Sequence, residues 1–278
     1  MREKTKKILQ YKDLYLNQIF RRIITQNFSS GKVALGERNT YTNPLFPLDW
    51  IRVDWQDADY NINLSQSPNL PFKDNSQKLL YSAHMIEHLS SQSLPKLLKE
   101  CYRILKPGGR IRFECPDAEK LINLYLANDE KMLSHFRKFR QEILINKFGY
   151  PEHYIEDHLS VLGEISNYIV EGEWVHVPVY VPKDEFDKKL ETLSFDQFFD
   201  WCISLQTPEQ HQSGGHQSAI YFSKLCLMLE KVGFTNVTKV DFGETTIPEL
   251  KLNNGFWSIK EKPHRSFYSL FIEAEKLN

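Results

Sequence analysis

The sequence contains no CxxC pair: Cys101, Cys115, Cys202 and Cys226 stand far apart in a chain of 278 residues. That spacing excludes a zinc knuckle and a disulfide framework, and unpaired thiols point to a cytoplasmic protein. Basic charge is not in excess either. Thirty-five Lys and Arg face 36 Asp and Glu, a net charge of −1, which argues against a dedicated nucleic-acid binder. Long apolar runs are missing, so neither a signal peptide nor a membrane span is expected in the opening "MREKTKKILQYKDLYLNQIFRRIITQNF". There is no internal repeat and no low-complexity tract. What remains is an ordinary globular composition, 41% hydrophobic and 26% charged, at a length that suits one large domain or a domain with a sizeable insertion.

The basic amino terminus carries Ile8, Leu9, Tyr11, Leu14, Tyr15, Ile19 and Phe20 at roughly helical spacing. Residues 1–30 are therefore read as a helical extension, either touching a membrane surface weakly or packing on the domain with its lysines solvated. From Gly31 the pattern turns to strands. Val33, Ala34 and Leu35 form a short apolar run before Gly36, as in a buried parallel strand that ends in a turn. "WIRVDW" reads as a second strand with Asp54 near its end, "DYNINL" as a third, "QKLLYSA" as a fourth and "RIRFECPD" as a fifth. Between the last two, Leu94, Leu97, Leu98, Cys101, Tyr102 and Leu105 line one helical face. Ser93 is the expected N-cap, and Pro107, Gly108 and Gly109 stop the helix. Strands alternating with helices imply a doubly wound α/β sheet. From about 118 to 214 the chain becomes aromatic, charged and mainly helical, interrupted by "WVHVPVYVP", where Trp174, His176 and Tyr180 alternate. "SAIYFSKLCLMLEKVGF" then gives a second strong amphipathic helix with Gly233 as C-cap, and "TNVTKVDFGE" and "SFYSLFIEAEK" close the fold as strands.

The run "LPFKDNSQKLLYSAHMIEHLSSQSLPKLLKECYRILKPGGRIRFECPD" resembles the core of class I S-adenosylmethionine-dependent methyltransferases, and looks most like the methyltransferases found near bacterial polysaccharide genes. The resemblance spans Lys32 to Asp117 and resumes from Ser218 to Lys276. It implies a mostly parallel seven-stranded Rossmann-like sheet whose last strand is antiparallel, within a methyltransferase-like domain over 31–278; the segment about 118–214 lies outside the resemblance and is read as an insertion that lids the acceptor. It implies S-adenosyl-L-methionine as cofactor at the carboxyl ends of the first strands, and a small-molecule or carbohydrate-linked acceptor.

Candidate cofactor contacts are Gly36, Glu37, Arg38, Asp54, Trp55, Asn63, Leu64, Ser82 and Ala83. A carboxylate at Asp54 can accept both ribose hydroxyls; the plainer reading is a solvated strand-end Asp. Asn63 and Leu64 either flank an adenine ring or are a turn Asn and a core Leu. Gly36 permits close backbone approach. The turn is poor in glycine for a dinucleotide, but S-adenosylmethionine carries no phosphate to cradle. Glu37 is matched to its ammonium and Arg38 to its carboxylate.

The candidate catalytic residues are His84, Asp117 and His216. His84 suits a proton acceptor, or is bonded to a loop carbonyl; Glu87 and His88 are read as structural. Asp117 orients an acceptor, acts as base, or caps the next helix. His216 lies in the glycine-bearing "HQSGGHQSA", either a closing loop or a connector. His84-x-x-Glu87-His88 also spells the pattern of inverted zinc peptidases, but such a site needs a longer helix and a third ligand, so no metal is expected. A non-catalytic, methyltransferase-like scaffold is the alternative, and the sequence is silent on oligomeric state.

Overall fold

The computed structural model describes residues 30–38, 50–166, 177, 179–212, 214–251 and 268–277. Seven strands form one sheet: β1 (Lys32–Leu35), β2 (Ile51–Asp54), β3 (Tyr60–Asn61), β4 (Gln77–Ala83), β5 (Leu105–Pro116), β6 (Phe234–Val240) and β7 (Ser269–Lys276). Their spatial order is β3-β2-β1-β4-β5-β7-β6. All pairings are parallel except those of β7, which runs antiparallel to both β5 and β6. The chain winds outward from β1 to β3 and then returns to lay β4 on the other side of β1. That reversal is a topological switch point, and open α/β sheets bind ligands in the crevice it leaves at the carboxyl ends of the strands.

The apolar run that predicts β1 is buried on both faces: Val33, Ala34 and Leu35 are each 0% exposed. Val33 and Leu35 join Val53, Leu80, Ile111, Phe113 and Ile272 on one face, under α1 (Ser93–Ile104) and α8 (Phe222–Val232). Helix α1 delivers Leu94, Leu97, Leu98, Cys101 and Ile104 to that core, each large side chain contributing roughly 1.5–3 kcal/mol by burial. Helix α8 ends where expected, at Gly233 with φ +114°. On the other face Ala34, Trp50, Leu79 and Tyr81 meet Ile247, just before α9 (Pro248–Lys251), and Leu250 within it. That face also buries charge: Arg112 lies directly across from Glu273 in the β5–β7 ladder, and the two pair at 2.6 Å.

Between β5 and α8 the chain forms α2 (Ala118–Leu126), α3 (Glu130–Arg140), α4 (Asp157–Ser166), α5 (Lys183–Thr192), α6 (Phe195–Ser204) and α7 (Pro208–Gln212). These helices have their own core, built on Leu121, Leu133, Phe136, Leu162, Phe186, Phe198 and Phe199. Local signals start them: Asp129 accepts from Met132 N at 2.8 Å, and Ser194 with Gln197 forms a capping box.

Three local expectations change. Ser93 is the first residue of α1 and not its cap; its hydroxyl donates to Ser65 O at 2.6 Å. Strand β5 begins at Leu105, before the Pro-Gly-Gly, because a register shift lets that segment continue along β4. The third strand is only Tyr60–Asn61, because the turn at Asn63 ends it. The amino-terminal extension, Trp174 and His176 lie outside the described residues, while Tyr180 is exposed. No described helix is long and apolar enough to cross a membrane.

Candidate functional site

The turn after β1 is held by Gly36, whose N–H donates to Val53 O at 2.8 Å and whose φ is +76°. A Cβ there would lie 2.6 Å from both Cβ and Cγ of Met85. The glycine is therefore needed twice, for its backbone conformation and because the turn after β4 presses against it. Glu37, the next residue, is buried.

Asp54 ends β2, as expected, and is 8% exposed. One of its oxygens accepts from Arg38 Nε at 3.2 Å, and the Arg38 guanidinium lies 5.0 Å from the centroid of the exposed Trp55 ring. The arginine matched to a cofactor carboxylate thus rests on the aspartate matched to the ribose. Asp59 is close by but not idle: Oδ2 accepts the backbone N–H of Arg52 at 2.8 Å.

Asn63 is a turn residue. Its Oδ1 accepts from Ser65 Oγ at 2.6 Å, Ser65 N at 3.1 Å and Gln66 N at 3.3 Å, which leaves little of the amide oxygen for an adenine edge. Leu64 is buried in the main core. Ser82 and Ala83 are the last two residues of β4. Ser82 is 1% exposed, wedged between Leu35 and Phe113 in the ladders on either side, and Ala83 is half-buried.

His84 follows in the left-handed region, with φ +47°. Its backbone N–H donates to Glu114 O at 2.8 Å. Nδ1 lies 3.4 Å from Glu87 Oε1, and Nε2 lies 3.3 Å from Glu114 Oε1. The ring therefore sits between two buried carboxylates, and its side chain keeps 19% exposure. Residues Ile86–His88 make a single 3₁₀ turn and not a helix, so the peptidase-like spacing never forms a helical face.

The structure brings a different set together. One ligating atom from each of Glu87, His88 and His216 lies within 4.8 Å of the others, and the rings of His88 and His216 meet edge to face at 4.8 Å. Burial alone pushes the Glu87 carboxyl up, but contact with His84 and the charges of His84, His88 and His216 outweigh it and hold the group down to about 2.

His216 is 3% exposed, so it is a built-in part of the site and not the tip of an open loop. Its Nδ1 donates to Ile165 O at 3.0 Å, and its N–H donates to Ser166 O at 3.1 Å. The residues after it stitch the loop to the β4 turn. Gln217 N and Ser218 N both donate to Glu87 O, at 2.8 and 3.1 Å, and Ser218 Oγ donates to Leu89 O at 2.7 Å. The other catalytic candidate does not join them. Asp117 is 1% exposed, caps α2 through Lys120 N and pairs with Lys239 Nζ at 2.8 Å. It serves as a cap and ion-pair partner, not as an open base.

Sequence reasoning missed Glu114 and undervalued Glu87. Glu114 carried a signal: a charge within a strand of a parallel sheet buried on both faces calls for a partner, here His84 and the Tyr81 hydroxyl, which donates at 3.3 Å. The approach of His216 carried none, since it depends on how the inserted helices return to the sheet.

Comparison with known proteins bears on this region. Residues 12–113 match a family model described as a methyltransferase domain. A demethylmenaquinone methyltransferase of Symbiobacterium thermophilum is 28% identical over 105 residues, 38% of this chain and 36% of that protein. The match thus spans little more than a third of the relative's length. Among solved structures, an S-adenosylmethionine-dependent methyltransferase from Archaeoglobus fulgidus aligns over 94% of both chains at 14% identity, with a TM-score of 0.40. Phosphoethanolamine N-methyltransferase 2 of Haemonchus contortus, in complex with S-adenosyl-L-methionine, aligns over 89% of this chain and 48% of that one at 10% identity, with a TM-score of 0.37. The methyltransferase-domain match takes in β1, the Gly36 turn, Asp54 and the turn of His84 to His88.

Proposed function

We propose that the protein is an S-adenosyl-L-methionine-dependent methyltransferase acting on a small-molecule or carbohydrate-linked acceptor. The observation that carries this reading is the position of Asp54. It closes β2 beside the Gly36 turn, at the switch point between β1 and β4. A carboxylate there suits paired ribose hydroxyls, and a turn with one glycine suits a cofactor that has no phosphate. Gly36, Glu37, Arg38 and Asp54, with Trp55, Ser82 and Ala83 around them, would hold the cofactor, which supplies an electrophilic methyl group on its sulfonium. The chain's own contribution is placement, which in favourable cases is worth effective molarities of roughly 10⁵ M or more.

In this reading His84 is the acceptor-side residue. It is a partly exposed titratable group directly after β4, and Glu87 and Glu114 flank its ring on both sides. An acceptor hydroxyl loses its proton there; Asp117 takes no part. The inserted helices return at His216, docked on Glu87, and wall the acceptor side as a lid. The relative from Symbiobacterium is named for a small acceptor, demethylmenaquinone, which supports a small molecule over a macromolecule. Four free thiols, three of them buried, support residence in the cytoplasm.

The Arg38–Asp54 contact favours a second reading, a methyltransferase-like scaffold whose ribose site is closed by its own arginine. Calorimetric titration with S-adenosylmethionine and S-adenosylhomocysteine separates the two. Saturable binding of both ligands supports the enzyme; a folded protein that binds neither is a scaffold.

A further inference from the structure

We propose that Glu87, His88 and His216 bind one divalent transition-metal ion of the zinc and cobalt class. Two imidazoles and a carboxylate are the donor set such ions take, and here they come from two segments far apart in sequence. Their ligating atoms lie within 4.8 Å of one another. Around an ion with bonds near 2.0–2.2 Å they would draw in to roughly 3–4 Å, a movement of side chains alone.

The surroundings match those of a metal site. Metal-bound histidines usually donate their second ring N–H to a carbonyl, which fixes the tautomer and aims the other nitrogen. His216 does this through Nδ1 to Ile165 O at 3.0 Å, which assigns Nε2 to the ion. Carboxylate ligands are likewise steadied by neighbours, and His84 Nδ1 stands 3.4 Å from Glu87 Oε1. Glu87 is 2% exposed, and its carboxylate is faced by imidazoles: His84 at 3.4 Å, with His88 and His216 alongside. A buried carboxylate calls for compensating charge, which a divalent ion held by the latter two imidazoles would supply. The frame is set before any ion arrives, because Gln217 N and Ser218 N grip Glu87 O and hold His216 in place. Gly215 helps by permitting a close pass: a Cβ there would fall 2.9 Å from Gln210 O and 2.0 Å from the Gln206 amide oxygen. His88 is only half-buried, so there is a way in from solvent.

Three protein ligands leave a fourth position for water or an acceptor oxygen. Beside the carboxyl end of β4, an ion there would lower the pKa of an acceptor hydroxyl. That role rests on the methyl-transfer reading; the site itself does not.

The test uses protein made without a histidine tag and stripped with chelator. It is titrated with Zn²⁺ by calorimetry and with Co²⁺ by visible absorption. One equivalent of each is expected to bind, with the intense Co²⁺ bands of a four-coordinate site. Mg²⁺ and Ca²⁺, which prefer oxygen ligands, should not displace them. His216→Ala and Glu87→Gln should each weaken Zn²⁺ at least about a hundredfold, since loss of a merely supporting group already costs 10–100-fold. His135→Ala should leave binding unchanged. Absence of saturable binding to the folded parent overturns the proposal, as does binding that survives both substitutions. If His216→Ala fails to fold by circular dichroism, His88→Gln takes its place. S-adenosylhomocysteine is titrated into the same samples. Metal without cofactor defeats the methyltransferase reading and leaves this site standing, and cofactor without metal does the reverse.

Discussion

Gly36→Ala tests whether the β1 turn and the β4 turn are locked together, and its cost can be built from two separate effects. Alanine at φ +76° pays the left-handed penalty, about 1–2 kcal/mol. The new methyl would also lie 2.6 Å from Met85 Cβ and Cγ, a contact no side chain tolerates, so Met85 or the turn must move. Forced repacking of this kind typically costs about 1–3 kcal/mol. Together they predict a loss of roughly 2–5 kcal/mol, a large share of a typical stability of about 5–15 kcal/mol. At about 2–4 °C per kcal/mol for a chain of this size, the melting temperature should fall by roughly 4–20 °C. A double-mutant cycle separates the two effects in chemical denaturation. Met85→Gly removes both offending atoms, so the double variant should be more stable than the sum of the singles by about 0.5–3 kcal/mol. A Gly36→Ala protein within 0.5 kcal/mol of the parent, or a double variant that is strictly additive, would refute the close approach of the two turns.

Two further substitutions probe the site. The Glu87 carboxyl is held below its ordinary value, so its contribution to stability is complete above the unfolded value near 4.3 and is lost as pH falls toward 2. Acid titration of the parent should lose stability on the order of a few kcal/mol between about pH 5 and pH 2, and Glu87→Gln should flatten that part of the curve; an unchanged slope contradicts the assignment. Asn63→Ala should loosen its turn by about 0.5–1.5 kcal/mol while leaving cofactor affinity near the parental value, because its oxygen already serves Ser65 and Gln66. A tenfold loss of affinity would show that the amide reaches the ligand after all.

The readable parts of this molecule were those written in local pattern. The Val33–Leu35 run gave β1, and the stripe from Leu94 to Cys101 gave the buried face of α1. Gly233 marked the end of α8, and "WIRVDW" placed Asp54 at the end of β2. Errors arose where tertiary contacts overrode local signals. The Lys-Pro-Gly-Gly stretch stops the helix as expected, yet it then runs on beside β4, because the ladder absorbs it with a register shift. Asn63 fitted two roles by composition, and its hydroxyl and backbone partners decided for the turn. The convergence of His216 on Glu87 and His88 could not be read from sequence, because backbone bonds formed only in the folded protein bring that loop to the sheet edge.

The central claim is that the edge of β1 and β2 holds a cofactor, and Asp54→Ala tests it most directly. Dissociation constants for S-adenosylhomocysteine are measured by calorimetry on the parent, on Asp54→Ala and on Asp57→Asn, with circular dichroism to confirm folding. Asp59 is unsuited as a control because it anchors the Arg52 backbone. A hydrogen bond to a charged partner is worth roughly 1.5–3 kcal/mol, so Asp54→Ala should weaken binding at least about tenfold while Asp57→Asn stays close to the parent. A folded parent that takes up no ligand at millimolar concentration, or an Asp54→Ala variant that binds as tightly as the parent, would contradict the account.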